Sequence, residues 1–125
     1  MTTFVAQKLG LTGVAPTYNA CTATDKFAAV PGSKYMLHYK NGATAQATGG
    51  SNNTITDSTT PTPAGASPGA GFANAITIAT PGMGSTTESV VEIDNSTRFM
   101  DAQGFINLNH PGTLTTVTVA IFGPL

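Results

Sequence analysis

The chain has no tryptophan, one cysteine and two histidines, and only 9% of its 125 residues are charged. Each shortage removes a class of function. A lone cysteine, Cys21, excludes an internal disulfide and a multi-thiolate metal centre, and reads as a small buried apolar side chain. Five Lys and Arg against six Asp and Glu, with no basic cluster, leave no electrostatic footprint for a phosphate backbone or an anionic membrane, so neither nucleic acid nor membrane is expected as a partner. The longest apolar runs, "FAAV" and "VAIF", are far too short to span a bilayer. The opening "MTTFVAQKLGLTG" lacks a charged region followed by an apolar one, which predicts synthesis in a cytoplasm without a signal peptide.

What is present is β chemistry. No segment keeps apolar residues at helical spacing for three turns, while short β-branched or aromatic runs alternate with clusters of Gly, Pro, Asn and Asp. This predicts an all-β fold, a β-sandwich or jelly-roll-like single domain over residues 1–125. The clearest strand is "TLTTVTVAIF", with Val117, Val119 and Ile121 on one face and Thr118, Ala120 and Phe122 on the other. Both faces are apolar, as in a central strand or one covered by a neighbouring subunit. "GFINLN" precedes it across the turn "NHPG", so Gly104 to Phe122 is predicted to be a hairpin. "ESVVEID", "NAITIAT" and, more weakly, "PTYNACT" and "DKFAAV" also read as strands. The stretch "GATAQATGGSNNTITDSTTPTPAGASPGAGFAN" has too few large apolar residues for a core and too many prolines for a ladder. Gly42 to Ala73 is therefore predicted as a long exposed Gly/Ser/Thr/Pro-rich loop or insertion.

Few residues carry candidate chemistry. In "SKYMLHYKN" strand alternation puts Tyr35, Leu37 and Tyr39 on a core face and Lys34, Met36, His38 and Lys40 on the other. His38 is then expected beside two lysines with no carboxylate to orient it, a structural residue. His110 precedes a proline in a turn and is expected to be exposed. Glu88, Glu92 and Asp94 are expected side by side on one solvated edge, and Arg98, the only arginine, to pair with Asp94 or Asp101. No G-x-S-x-G elbow or phosphate-binding loop is complete. The expectation is a protein with no catalytic residues, no metal site and no cofactor, hence not an enzyme.

Three blocks, "GVAPTYNACTATDKFAAVPGSKYMLHYKNG", "TRFMDAQGFINLN" and "TLTTVTVAIFGP", resemble in that order the small decoration (cement) or minor capsid proteins of tailed phages infecting actinobacteria. In that family a "G-x-x-P-T-Y-x-A" opening leads to a strand ending in "L-x-x-K-N", and the C-terminus closes on "V-T-V-A" and an apolar residue. The resemblance covers most of the chain outside Gly42 to Ala73. It implies a virion protein, a β-sandwich homotrimer bound to the major capsid protein on the outer surface of the head, which it stabilises. Low charge and two-faced apolar strands independently predict an oligomer. Under this reading an N-terminal arm within residues 1–12, with Phe4, Val5 and Leu9 as anchors, contributes to shell or intersubunit contact, the alternative being an ordinary first strand. Tyr18, Phe27, Phe99, Phe105 and Phe122 are candidates for the trimer seam or for the core. The rival reading is an adhesive or carbohydrate-binding β-module of a phage tail or surface fibre, against which the lack of tryptophan for sugar stacking counts.

Overall fold

A computed structural model describes residues 2–46, 53–56 and 87–125 in full and the backbone of 75–77. Among the described residues nine strands follow in chain order: β1 (Thr2–Phe4), β2 (Asn19–Ala20), β3 (Thr24–Ala28), β4 (Tyr35–Asn41), β5 (Thr54–Thr56), β6 (Ala75–Thr77), β7 (Glu88–Ile93), β8 (Phe105–Asn109) and β9 (Val117–Phe122). A single 3₁₀ turn, Ser96–Arg98, capped by the Asn95 side chain on the Thr97 N–H, is the only helical piece among the described residues. Two sheets pack together as an all-β sandwich, ordered β1-β3-β8-β5-β6 and β2-β9-β4-β7.

The inward faces follow from period-two alternation. On β4, Tyr35, Leu37 and Tyr39 are buried and Met36, His38 and Lys40 are half-buried. Leu37 stands opposite Ile121 on one side and Val91 on the other. Across the core, Phe27 pairs with Ile106 in register, and Ile55 with Leu108. Each such side chain, wholly removed from water, contributes on the order of 1.5–3 kcal/mol. The strand β9 lies between β2 and β4, and its outer face is also buried at Ala120 and Phe122, within the chain itself. A central position accounts for its two apolar faces without a neighbouring subunit.

Two expectations are corrected. The segments β8 and β9 do not form a hairpin: β8 pairs with β3 and β5, and β9 with β2 and β4. Turn chemistry at "NHPG" is real, but it carries the chain from one sheet to the other. Ile106 and Leu108 thereby face Val117, Val119 and Ile121 across the core instead of lying beside them in one sheet. The crossing is pinned by the Gln46 side chain, whose Nε2 donates to the Pro111 carbonyl at 2.8 Å, and by the His110 N–H on the Ala23 carbonyl at 2.9 Å. Second, the stretch 42–73 is not wholly an exposed loop. It supplies β5, with Ile55 in the core, and a buried amide pair, Gln46 with Asn53. The Gly/Pro-rich remainder lies outside the described residues, as does Ile78 of the predicted strand "NAITIAT", whose backbone at 75–77 is β6.

The N-terminal residues form the first strand rather than a free arm. The strand β1 runs parallel to β3, and Phe4 enters the core. The chain then passes to the other sheet, where Gln7 pairs with β9: its N–H bonds the Ile121 carbonyl and its carbonyl accepts from the Gly123 N–H, both at 2.8 Å. Residues 2–7 thus join the two sheets along one side of the sandwich.

Candidate functional site

Three regions bring functional groups together. The first is the loop after Gln7. The Gln7 side chain donates from Nε2 to the Thr17 carbonyl and accepts the Thr17 N–H on Oε1, both at 2.8 Å. This amide clamp satisfies two backbone groups that would otherwise need water and closes the base of an excursion over residues 8–16. The Gly13 N–H bonds the Gly10 carbonyl at 3.1 Å, with Gly13 at φ +82°, a value that Gly adopts without strain. The loop presents Leu9, Leu11 and Val14 to solvent, Leu11 completely. Beside its base a groove of about 300 Å³ is lined by Val5, Ala6, Ala28, Val30 and Pro124, and Val5 is 79% exposed.

The proposed contact residues therefore divide. Phe4, Phe27, Phe99 and Phe122 are buried in the chain's own core, with Phe4 and Phe99 reaching the floors of surface grooves. Val5 and Leu9 are exposed, and Tyr18 and Phe105 are half-buried. Phe105 lies under the Lys26 ammonium, 4.2 Å from the ring centroid. Leu11 falls within the expected N-terminal arm but is not among its named anchors, and Val14 lies beyond it; the turn signal "GLTG" between apolar residues is the available clue.

The second region is the outer face of β4. His38 does have a carboxylate, contrary to expectation: its Nε2 lies 3.4 Å from Glu88 Oε1, because antiparallel pairing sets β7 beside β4 and brings Glu88 opposite Lys40. Its Nδ1 is 2.7 Å from the Tyr18 hydroxyl. An imidazole protonated at Nε2, accepting from Tyr18 and facing Glu88, satisfies both contacts. Lys40 completes the group, 3.6 Å from Glu88 Oε1 and 4.5 Å from the Tyr18 ring centroid. Lys34, just before β4, and Glu92 on β7 pair at 3.9 Å. The two lysine pairs are exposed and screened, worth a fraction of a kcal/mol up to about 1 kcal/mol each. They fix the face's charge pattern more than its stability.

The third region is buried. His110 is not exposed: it is 2% accessible, since the Ile106, Leu108 alternation carries it to the core side. Its Nε2 accepts from the Tyr39 hydroxyl at 2.8 Å, while Nδ1 lies 2.9 Å from the Thr22 carbonyl and 3.0 Å from Asp25 Oδ2, both acceptors. Asp25, fully buried on β3, also receives the Thr22 N–H at 2.8 Å, the Thr22 hydroxyl and the Thr2 N–H at 3.2 Å. Burial lowers the His110 pKa, partly offset by the Thr22 carbonyl and by Asp25, so the ring is neutral and donates from Nδ1. Cys21 closes the group, its ligating atom and those of Asp25 and His110 all within 4.8 Å of one another. Burial, and then the charge of Asp25, push its thiol up to about 12. A thiol so raised is a poor nucleophile, and both nitrogens of the neighbouring imidazole are occupied.

Comparison with protein-family models, with curated proteins and with solved structures finds no match to this chain.

Proposed function

We propose that the protein is a capsid decoration protein, a homotrimer that binds the outer surface of a phage head and stabilises the shell. The reading starts from the sequence blocks that resemble this family. The observation that carries it further is the clamped loop 8–16, which holds Leu9, Leu11 and Val14 in water. Exposed leucines on an anchored loop are unfavourable in isolation, and each gains on the order of 1.5–3 kcal/mol when it enters an apolar crevice. The loop is the shell-facing element in this reading, and the crevice lies between adjacent major capsid subunits. Threefold repetition converts modest contacts into firm attachment through effective concentration. The low charge of the chain suits a partner recognised by shape and apolar contact rather than by electrostatic steering.

Cryo-electron microscopy of the particle with which the protein is made tests this directly. Triangular knobs over threefold and quasi-threefold positions, with residues 8–16 against the shell, are the expected result. A Leu9→Asp/Leu11→Asp double variant is expected to fold and trimerise normally while leaving heads bare. A head surface without such density, or normal decoration by the double variant, overturns the reading. Density in the tail would promote the adhesive-module alternative.

A further inference from the structure

Cys21, Asp25 and His110 form the one group of three potential metal ligands among the described residues, and all three are buried. They come from three places: the end of the β2 segment, the core face of β3, and the corner between β8 and β9. Each is held by backbone that is itself fixed. The Cys21 N–H bonds the Val117 carbonyl at 3.0 Å, the His110 N–H bonds the Ala23 carbonyl at 2.9 Å, and Asp25 is locked in register with Leu108.

We infer that this cluster is a binding site for one divalent transition-metal ion of the zinc class. A sulfur, an imidazole nitrogen and a carboxylate oxygen are the mixed donor set that zinc accepts, and a four-coordinate ion places such donors roughly 3–4 Å apart; here all three lie within 4.8 Å of one another, with His110 Nδ1 and Asp25 Oδ2 at 3.0 Å. The position between nitrogen and carboxylate already holds a bridging proton. His110 Nδ1 faces two oxygen acceptors, Thr22 O and Asp25 Oδ2, and the single proton it shares with them occupies the place a metal ion would take. Charge balances as well. A thiolate and a carboxylate around a dication sum to zero, the arrangement a dry interior tolerates best. On binding, the thiol proton leaves to solvent and the imidazole proton moves from Nδ1 to Nε2. The ring then donates to Tyr39 Oη, 2.8 Å away, an outer partner of the kind that orients metal-bound histidines. The Thr22 carbonyl, on the same side of the ring, is the nearest further oxygen donor in the network. Because the site is closed to solvent, loading accompanies folding rather than following it.

The test refolds the full chain with excess Co²⁺ or Zn²⁺, removes free metal and measures metal content and the cobalt absorption spectrum. One ion per chain is expected, with a thiolate-to-cobalt charge-transfer band. Cys21 is the only cysteine, so that band reports this site alone. Cys21→Ser is expected to abolish the band, and His110→Gln to lower metal content to near zero. His38→Gln, which alters only the surface histidine, should leave both unchanged. A wild-type chain that refolds without retaining metal overturns the proposal, and so does cobalt bound without a charge-transfer band or lost equally in the His38 variant.

Discussion

Replacing Tyr39 by Phe isolates the hydrogen bond that ties β4 to the buried cluster. The ring is fully buried and keeps its volume, so no cavity opens and the packing against His110, with ring centroids 5.5 Å apart, is retained. What disappears is the hydroxyl 2.8 Å from His110 Nε2. That nitrogen then sits in the core without a partner, and an orphaned buried acceptor costs about 1–3 kcal/mol. For a domain of this length each kcal/mol moves the midpoint by roughly 4 °C, so a fall of about 4–12 °C is expected. Tyr35→Phe is the matched control. Its hydroxyl accepts from the Val30 N–H at 2.8 Å, but Val30 is half exposed and water can replace the acceptor, so the loss should stay under about 1 kcal/mol. Urea unfolding followed by circular dichroism, with unchanged m-values, gives both numbers. If Tyr39→Phe loses less than about 0.5 kcal/mol, or no more than Tyr35→Phe, the Tyr39–His110 bond does not stabilise the core and the reasoning fails.

Two further perturbations test other parts of the fold. Asp101 accepts from Asn107 Nδ2 and from the N–H groups of Phe105 and Gln103, and these bonds, that of Asn107 first, hold its carboxyl below the ordinary range. A depressed folded pKa stabilises above the unfolded value, about 3.9, and the gain is lost as pH falls through the folded value. Wild type should therefore exceed Asp101→Asn most near neutrality and converge with it in acid, and a gap independent of pH in thermal melts would refute this. Gly123→Ala should lower stability by about 1–3 kcal/mol in the same denaturation assay, because φ is +148° and an added Cβ would meet Tyr35 Cδ1 at 2.5 Å and the Lys34 carbonyl at 2.9 Å; an unchanged midpoint would show that this approach is loose.

The sequence was most informative where alternation was long. Seven residues of β4 and six of β9 display their faces openly, and Tyr35, Leu37, Tyr39, Val117, Val119 and Ile121 lie where period two predicts. The buried cluster was legible by the same rule but was obscured by residue type. Asp25 is two residues before Phe27, and His110 two after Leu108, so parity places both on the core side. For His110 the turn and the following proline argue for exposure, and only tertiary contact reveals that His110 and Asp25 satisfy each other. The false hairpin had a different origin. A turn signature defines where a chain reverses locally, and it does not tell whether the next strand returns to the same sheet or crosses to the opposite one. That choice depends on which apolar faces meet across the core. The His38–Glu88 contact was hidden for a similar reason, since it requires the β4–β7 register.

The clamp between Gln7 and Thr17 separates two properties that are usually entangled in a small β-protein. Below it, Gln7 is stitched into β9 by backbone bonds to Ile121 and Gly123, so the clamp belongs to the sandwich. Above it, Leu9, Leu11 and Val14 stand in solvent. Substitutions at those loop positions should therefore have little effect on folding and, under the proposed function, reduce capsid attachment. Substitutions at Tyr39, Asp25 or His110 should change folding, because they disrupt bonds inside the core while leaving the loop surface chemically intact. Independent sites add in free energy, so the stability of a Leu11→Asp/Tyr39→Phe chain should equal the sum of the single effects within about 0.5 kcal/mol. That separation is the physical ground on which the proposed capsid contact falls to residues 8–16, while the bonds around His110 hold the core together.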